Sequence, residues 1–261
     1  MSAASWLELV APIIREAGTM ARRRFYSGKV HASRKDNNEW VTDVDREVEE
    51  FITERLQYYF PDHGVLGEEG GQQGGTDFCW VIDPLDGTTN FVHRFAHCAV
   101  SLAYCERGRS KIAVICDVMT DTLYTAINGG GAYKEDQRLR VSPEVDFRNA
   151  MFIASGQVAD GDLWPLMVDL SGRTDGMRKT GSSVLDLAWL AAGDVDAVVS
   201  GPINYWDVAA GSLLVREAGG FISDVNDNTE FKFGERTPCF VAAAPKVFTR
   251  FFSETKKFCK K

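Results

Sequence analysis

The stretch Phe78-Cys79-Trp80-Val81-Ile82-Asp83-Pro84-Leu85-Asp86-Gly87-Thr88-Thr89-Asn90 decides how the rest of the chain is read. Five apolar residues in a row predict a short interior strand, and the Asp83-Pro84 step stops it. Such a strand delivers its next side chain to the crevice at its carboxyl end, where open α/β sheets bind ligands. Pro84 fixes its own φ and biases Asp83 toward an extended backbone. The chain then turns sharply, which points Asp86 back to the same spot. Gly87 lets backbone approach a ligand with no Cβ in the way. Thr88 and Thr89 open a helix whose free N–H groups suit a phosphate.

Two further acidic settings stand out. Glu68 and Glu69 sit in Gly67-Glu68-Glu69-Gly70, and Asp207 sits at a helix start in Trp206-Asp207-Val208-Ala209-Ala210-Gly211. Carboxylates gathered in one place repel each other unless a cation neutralises them. Oxygen-only ligands select hard ions such as Mg²⁺ over Zn²⁺. Two such ions about 3.5–4 Å apart clamp the attacking and leaving oxygens of an in-line displacement. Taken singly, each piece has an ordinary explanation: Asp-Pro and Asp-Gly are turn dipeptides, Asp207 is a helix N-cap, Thr42 and Asp45 form a capping box, and a Glu pair between glycines is a solvated loop. The ordered octet Asp83 to Asn90 exceeds what turn chemistry demands and points to metal-assisted phosphoryl transfer.

Outward from that stretch, Trp6 to Ala21 recur at helical spacing, with Arg22, Arg23 and Arg24 as favourable charge at the helix end. His31 to Glu39 reads as a polar turn and Thr42 opens a second helix that ends near Pro61. Cys98 to Cys105, Lys111 to Val118 and Leu123 to Ile127 follow as strands at hairpin spacing, and Gly129-Gly130-Gly131 is a hairpin loop. After about residue 145 strands and helices alternate: strands at Met151 to Ser155, Ala197 to Ser200, Phe221 to Asp224 and Cys239 to Ala243, and helices at Ser182 to Ala192, Asp207 to Ala218 and Lys246 to Phe258. The expected organisation is an N-terminal α+β half, residues 1–145, carrying most metal ligands, and a C-terminal α/β half, residues 146–261, carrying Asp207 and the substrate-lining segments.

Composition narrows the field. A chain of 261 residues with formal net charge -8 lacks the positive face a bulk nucleic-acid binder needs. Cys79, Cys98, Cys105, Cys116, Cys239 and Cys259 form no C-x-x-C pair and read as reduced thiols of a cytoplasmic protein. No apolar run is long enough to span a bilayer, and the N-terminus begins with a helical pattern instead of a signal peptide. His93 and His97 lie four apart but have no third ligand at matching spacing, so they are expected on a surface or interface. Lys256, Lys257, Lys260 and Lys261 read as a solvated helix end.

Trp80-Val81-Ile82-Asp83-Pro84-Leu85-Asp86-Gly87-Thr88-Thr89-Asn90-Phe91 closely resembles the signature of the inositol monophosphatase family. Gly67-Glu68-Glu69 and Trp206 to Gly211, with Glu217-Ala218-Gly219-Gly220, resemble its other two motifs, in the family's order. The resemblance spans nearly the whole chain and is greatest to the SuhB-like bacterial members. It implies an α-β-α-β-α layered sandwich, a homodimer, and Mg²⁺-dependent, Li⁺-sensitive hydrolysis of a small-molecule phosphate ester. By the resemblance, Glu68, Asp83 and the Leu85 carbonyl would hold one metal and Asp83, Asp86 and Asp207 a second, with Glu68 helping a third. Glu68 and Thr88 would position the attacking water, with Asp45 orienting the Thr88 hydroxyl, and the N–H groups of Gly87 and Thr88 would hold the phosphate. Lys35 matches a basic residue beside the metals, in a loop to Thr42 about one residue shorter than the family's. Gly181-Ser182-Ser183 matches the segment that lines the substrate ring. Ser200 stands where inositol-selective members have a Glu that contacts a substrate hydroxyl, so other sugar or polyol phosphates are expected to compete with inositol 1-phosphate. Fructose bisphosphate, histidinol phosphate and nucleotide 3′-phosphates are the family's alternative substrates. Some SuhB-like relatives are associated with the transcription machinery, which makes it a candidate partner.

Overall fold

The computed structural model describes residues 2–36, 38–143, 145–155 and 163–259. The side chain of Cys259, and Lys260 and Lys261 with the rest of the basic tail, lie outside the described residues. Helix α1 (Ala3–Ser27) carries the Arg22 to Arg24 run within its last turns and ends on Gly28 in the left-handed region. The stretch read as a polar turn is a small hairpin, β1 (Ala32–Arg34) against β2 (Trp40–Thr42), with Lys35 at its tip. Thr42 caps helix α2 (Asp43–Tyr59) in a full capping box with Asp45.

An eight-stranded mixed sheet follows. Its strands are β3 (Gly64–Gly67), β4 (Gly71–Gln73), β5 (Phe78–Asp86), β6 (Ala99–Glu106), β7 (Arg109–Asp117), β8 (Thr122–Ile127), β9 (Gly131–Lys134) and β10 (Gln137–Arg138), in the order β10-β9-β8-β7-β6-β5-β3-β4. β3 and β5 are parallel, and the other neighbours are antiparallel. The central strands are apolar throughout because both faces are covered. Trp80, Ile82, Val100, Leu102, Ile112 and Val114 face α1 and α2, while Cys79, Val81, Ala99, Ala103, Ala113 and Ile115 face inward. Short helix α3 (Thr88–Val92) joins β5 to β6.

The second sheet has five strands: β11 (Met151–Ser155), β12 (Gly176–Arg178), β13 (Ala197–Ser200), β14 (Phe221–Asp224) and β15 (Phe240–Ala243), in the order β12-β11-β13-β15-β14. Helices α4 (Leu163–Ser171), α5 (Ser183–Ala192), α6 (Tyr205–Glu217) and α7 (Pro245–Cys259) complete the chain. α5 and α6 pack on each other between the sheets, touching β6 and β7 on one side and β13, β14 and β15 on the other. α4 and α7 cover the far face of the second sheet. The layers therefore run α1/α2, first sheet, α5/α6, second sheet, α4/α7, the sandwich that the motifs imply. No helix among the described residues is long and apolar enough to cross a membrane.

Cys79, Cys98, Cys105 and Cys116 are buried free thiols, and Cys239 is a half-buried one. The Gly129 to Gly131 segment is a hairpin turn between β8 and β9. His93 caps the end of α3 and is exposed. His97 departs from expectation: it is buried, its ring packed 4.7 Å from that of Trp189.

Candidate active site

The strand that carries Asp83 does not stop at Asp83-Pro84. It continues to Asp86 through a bulge. Asp83 lies opposite Ser101 of β6 and Asp86 opposite Ala99, so three steps along one strand match two along the other. In a regular strand residues three apart face opposite sides; the extra residue restores Asp86 to the side of Asp83. Leu85 takes the outer position and is buried against α2 and its neighbours. A bulge, and not a sharp turn, therefore aligns the two carboxylates.

The third carboxylate comes from α6, which packs on that same inner face. Asp207 is the third residue of the helix and closes a capping box with Asn204, whose N–H donates to Asp207 Oδ2 at 2.9 Å. It is thus not the N-cap itself; its second oxygen is left for the cleft. One carboxylate oxygen from each of Asp83, Asp86 and Asp207 lies within 4.8 Å of the other two. Asp83 is buried, while Asp86 and Asp207 are half-buried. Asp83 Oδ1 accepts from Leu85 N–H at 3.2 Å, but Oδ2 is buried without a hydrogen-bond partner. Asp86 Oδ2 is fixed by the Ser182 hydroxyl and by Val184 N–H at 2.9 Å.

Glu68 follows β3, the parallel neighbour of β5, and approaches from the other edge of the site. Lys35 at the β1–β2 hairpin tip donates to Glu68 Oε1 at 2.8 Å and pairs with Glu69 as well. The Glu68 loop is held from below by Glu49 of α2, whose carboxylate accepts the N–H groups of Glu69 and Gly70. A Cβ at Gly67 would come within 2.4 Å of that carboxylate, so glycine there is a packing requirement. Sequence reading missed Glu49. Its signal was a carboxylate at helical spacing on the face formed by Val44, Val48 and Ile52, beside Asp45.

Asp45 is buried on that face and accepts from Thr42 N–H at 2.9 Å and from the Thr88 hydroxyl at 3.0 Å. The same hydroxyl lies 2.9 Å from the Leu85 carbonyl. Gly87 adopts φ 87° and a Cβ there would meet the His97 carbonyl at 2.9 Å, so only glycine fits where β5 passes into α3. A cleft of about 600 Å³ opens over these groups, lined by Glu68, Asp83, Asp86, Thr88, Gly181, Ser183 and Asp207 among others. Ser182 is buried behind that wall, bonded to Asp86. Ser200 does not line the cleft: it is fully buried, and its hydroxyl donates to the Gly201 carbonyl at 2.8 Å.

Burial, joined at Asp83 and Asp207 by crowding of like charges, shows in the proton affinities. Burial, then Glu68, Asp86 and Asp207, raises Asp83 well above the usual carboxylate range, and burial with Asp86 and Glu68 does the same to Asp207. Burial pushes Asp86 up to about 6 against its hydrogen bonds. Burial pushes Glu68 up to about 7 even with Lys35 beside it. Burial alone would lower the Lys35 ammonium, but Glu68 and Glu69 outweigh it and hold the group above its ordinary value. A buried, all-oxygen acidic cluster with an orphaned carboxylate oxygen fits a hard divalent cation.

The chain matches the model of the inositol monophosphatase family over residues 3–257. It is 41% identical over 212 residues to a protein of Pseudomonas aeruginosa named Nus factor SuhB, covering 77% of this chain and 78% of that one. The Nus factor SuhB of Escherichia coli strain K12 is 37% identical over 248 residues, 92% of each chain. Among solved structures, the Thermotoga maritima IMPase superposes with a TM-score of 0.90 at 29% identity, covering 98% of both chains.

Carboxylates that bind protons more tightly folded than unfolded destabilise the fold once they ionise. For Asp86, with ordinary value 3.8 and folded value about 6, and Glu68, 4.5 and about 7, the folded state holds the extra protons between those limits. Stability of the metal-free protein therefore falls as pH rises through that window. Thermal melting from pH 5 to pH 8 is expected to show a declining midpoint, and added Mg²⁺ is expected to raise it more at pH 8 than at pH 5. A midpoint that rises with pH would contradict the assignment.

Proposed function

The chain belongs to the inositol monophosphatase family and is a phosphoric monoester hydrolase, and from that premise we propose that it uses Mg²⁺ to hydrolyse a polyol or sugar phosphate such as inositol 1-phosphate. The observation that carries the reading is the convergence of one oxygen each from Asp83, Asp86 and Asp207 within 4.8 Å, with Asp83 Oδ2 buried and unpartnered. Glu68, Asp83, the Leu85 carbonyl, Asp86 and Asp207 would hold two or three ions. Bound there, the ions would supply charge neutralisation for the phosphoryl oxygens and a more acidic water beside them.

The chain's own residues divide the remaining work. Glu68 and Thr88 position the attacking water. Asp45, 3.0 Å from the Thr88 hydroxyl, fixes its direction. Lys35 keeps Glu68 and Glu69 from repelling the phosphate. Gly87 and Thr88, where β5 passes into α3, border the cleft, which supports a phosphate seat at their N–H groups. Gly181 and Ser183 form part of the leaving-group wall. The enclosed Ser200 offers no carboxylate to an inositol hydroxyl, which favours tolerance among polyol phosphates.

A second reading has its own support: Arg34, Lys179 and Arg236 also line the cleft. Three cations beyond the carboxylate cluster suit a substrate with another anionic group, such as fructose 1,6-bisphosphate. A binding role with the transcription machinery rests on the Nus factor names of the relatives alone. The reading also takes the protein to be a cytoplasmic homodimer.

Phosphate release from a panel of esters is expected to require Mg²⁺ and to fall with Li⁺. Asp83→Asn is expected to cost about 10²–10⁴-fold in kcat, the equivalent of several kcal/mol. Full activity of that variant would refute the metal assignment. Arg236→Ala is expected to raise KM for fructose 1,6-bisphosphate about tenfold, as loss of a charge-assisted hydrogen bond does, and to leave inositol 1-phosphate nearly unchanged. Equal effects on both esters would remove the bisphosphate reading. The inactive Asp83→Asn chain, used as bait, is expected to retain components of the transcription machinery if binding is independent of catalysis; their absence with both variant and parent chain would dismiss that role.

A further inference from the structure

We infer that Asp186 sets substrate selectivity by orienting the hydroxyls of the leaving-group wall, so that they accept hydrogen bonds from the alcohol groups of a polyol phosphate. The inference rests on the phosphatase reading above and names a residue that no motif marks.

Asp186 lies in the first turn of α5 and is fully buried, outside the metal cluster. The Thr180 hydroxyl donates to its Oδ1, and the Ser155 hydroxyl donates to its Oδ2 at 2.7 Å. Ser155 Oγ also lies 3.0 Å from Ser183 Oγ. A hydroxyl carries one proton and two acceptor sites. The Ser155 hydroxyl is placed to donate to either group, and the nearer carboxylate oxygen takes its proton in preference to Ser183 Oγ. The Thr180 and Ser155 protons then run inward to Asp186, and their oxygen lone pairs remain for the cleft. Ser155, Thr180 and Ser183 all line that cleft. A wall of acceptors recognises O–H donors, which are the groups a polyol carries besides its phosphate.

Helix capping does not account for the carboxylate. Ser182 already caps α5, accepting Leu185 N–H at 3.3 Å. Its sequence neighbours Leu185 and Leu187 are buried and apolar, and an apolar side chain at position 186 would avoid the cost of enclosing a charge. Burial pushes Asp186 up to about 7 despite its two hydroxyl partners. The wall is also tied to the reacting centre: Ser182 N–H donates to Thr180 Oγ1 at 3.4 Å, and the Ser182 hydroxyl bonds Asp86.

The test compares Asp186→Asn with the parent enzyme in Mg²⁺, on inositol 1-phosphate and on phenyl phosphate, whose leaving group has no spare hydroxyl. The amide donates where the carboxylate accepted, which reverses one wall hydroxyl. KM for inositol 1-phosphate is expected to rise about tenfold, the scale of one lost specificity contact, with kcat and both phenyl phosphate parameters nearly unchanged. Equal losses on both esters, or no change on either, would overturn the inference. Ser155→Ala removes one wall hydroxyl and is expected to shift the two esters in the same selective sense; it decides the matter if Asp186→Asn does not melt cooperatively. If the parent enzyme hydrolyses neither ester, the phosphatase reading fails separately. Calorimetric binding of inositol 1-phosphate then still reads the inference: weakening of about tenfold in Asp186→Asn supports it, and unchanged affinity overturns it.

Discussion

Three carboxylates share a volume in which their oxygens lie within 4.8 Å of one another, and everything near the cleft is arranged to hold them there. Left alone, such charges would separate or take up protons. The protein prevents the first by fixing each group independently. A strand bulge holds Asp83 and Asp86, a capping box holds Asp207, and the Ser182 hydroxyl with Val184 N–H clamps Asp86. The second escape shows in the raised proton affinities, which mark the free energy that a cation can recover.

The layers divide the labour. The first sheet with α2 supplies Glu68, Asp83, Asp86 and the Asp45–Thr88 pair. The middle layer and second sheet supply Asp207 and the polar wall from Ser155 to Asp186. The cleft forms where these parts meet, with α6 placing Asp207 beside the first-sheet carboxylates and α5 placing the polar wall next to it. The two sides are joined where the Ser182 hydroxyl and Val184 N–H hold Asp86, so the wall from Ser155 to Asp186 is also part of the cluster's scaffolding.

Much of this was legible in the chain itself. The long apolar runs announced strands covered on both sides, and the Asp83 to Asn90 octet announced the cluster. Three things were not. The sequence alone reads as a turn at the bulge, because Asp-Pro is a turn dipeptide and register is a property of the pair of strands, not of one. Ser200 was assigned to the cleft by alignment with a motif, yet a strand residue faces whichever side its register dictates. Glu49 and Asp186 were passed over because a carboxylate at helical spacing looks like a solvated face; only the packed neighbours reveal that each is enclosed with backbone or hydroxyl donors supplied.

The one-residue offset between β5 and β6 decides what a deletion within it would cost. Two residues, Pro84 and Leu85, stand where regular pairing with β6 would hold one. A single-codon deletion there would restore regular alternation and leave Asp86 on the side of Asp83, with one residue in place of the buried Leu85 and its proline neighbour. What such a change would take away is the anchor on the opposite face, because Leu85 fills the layer under α2 while Asp83 and Asp86 face the cleft.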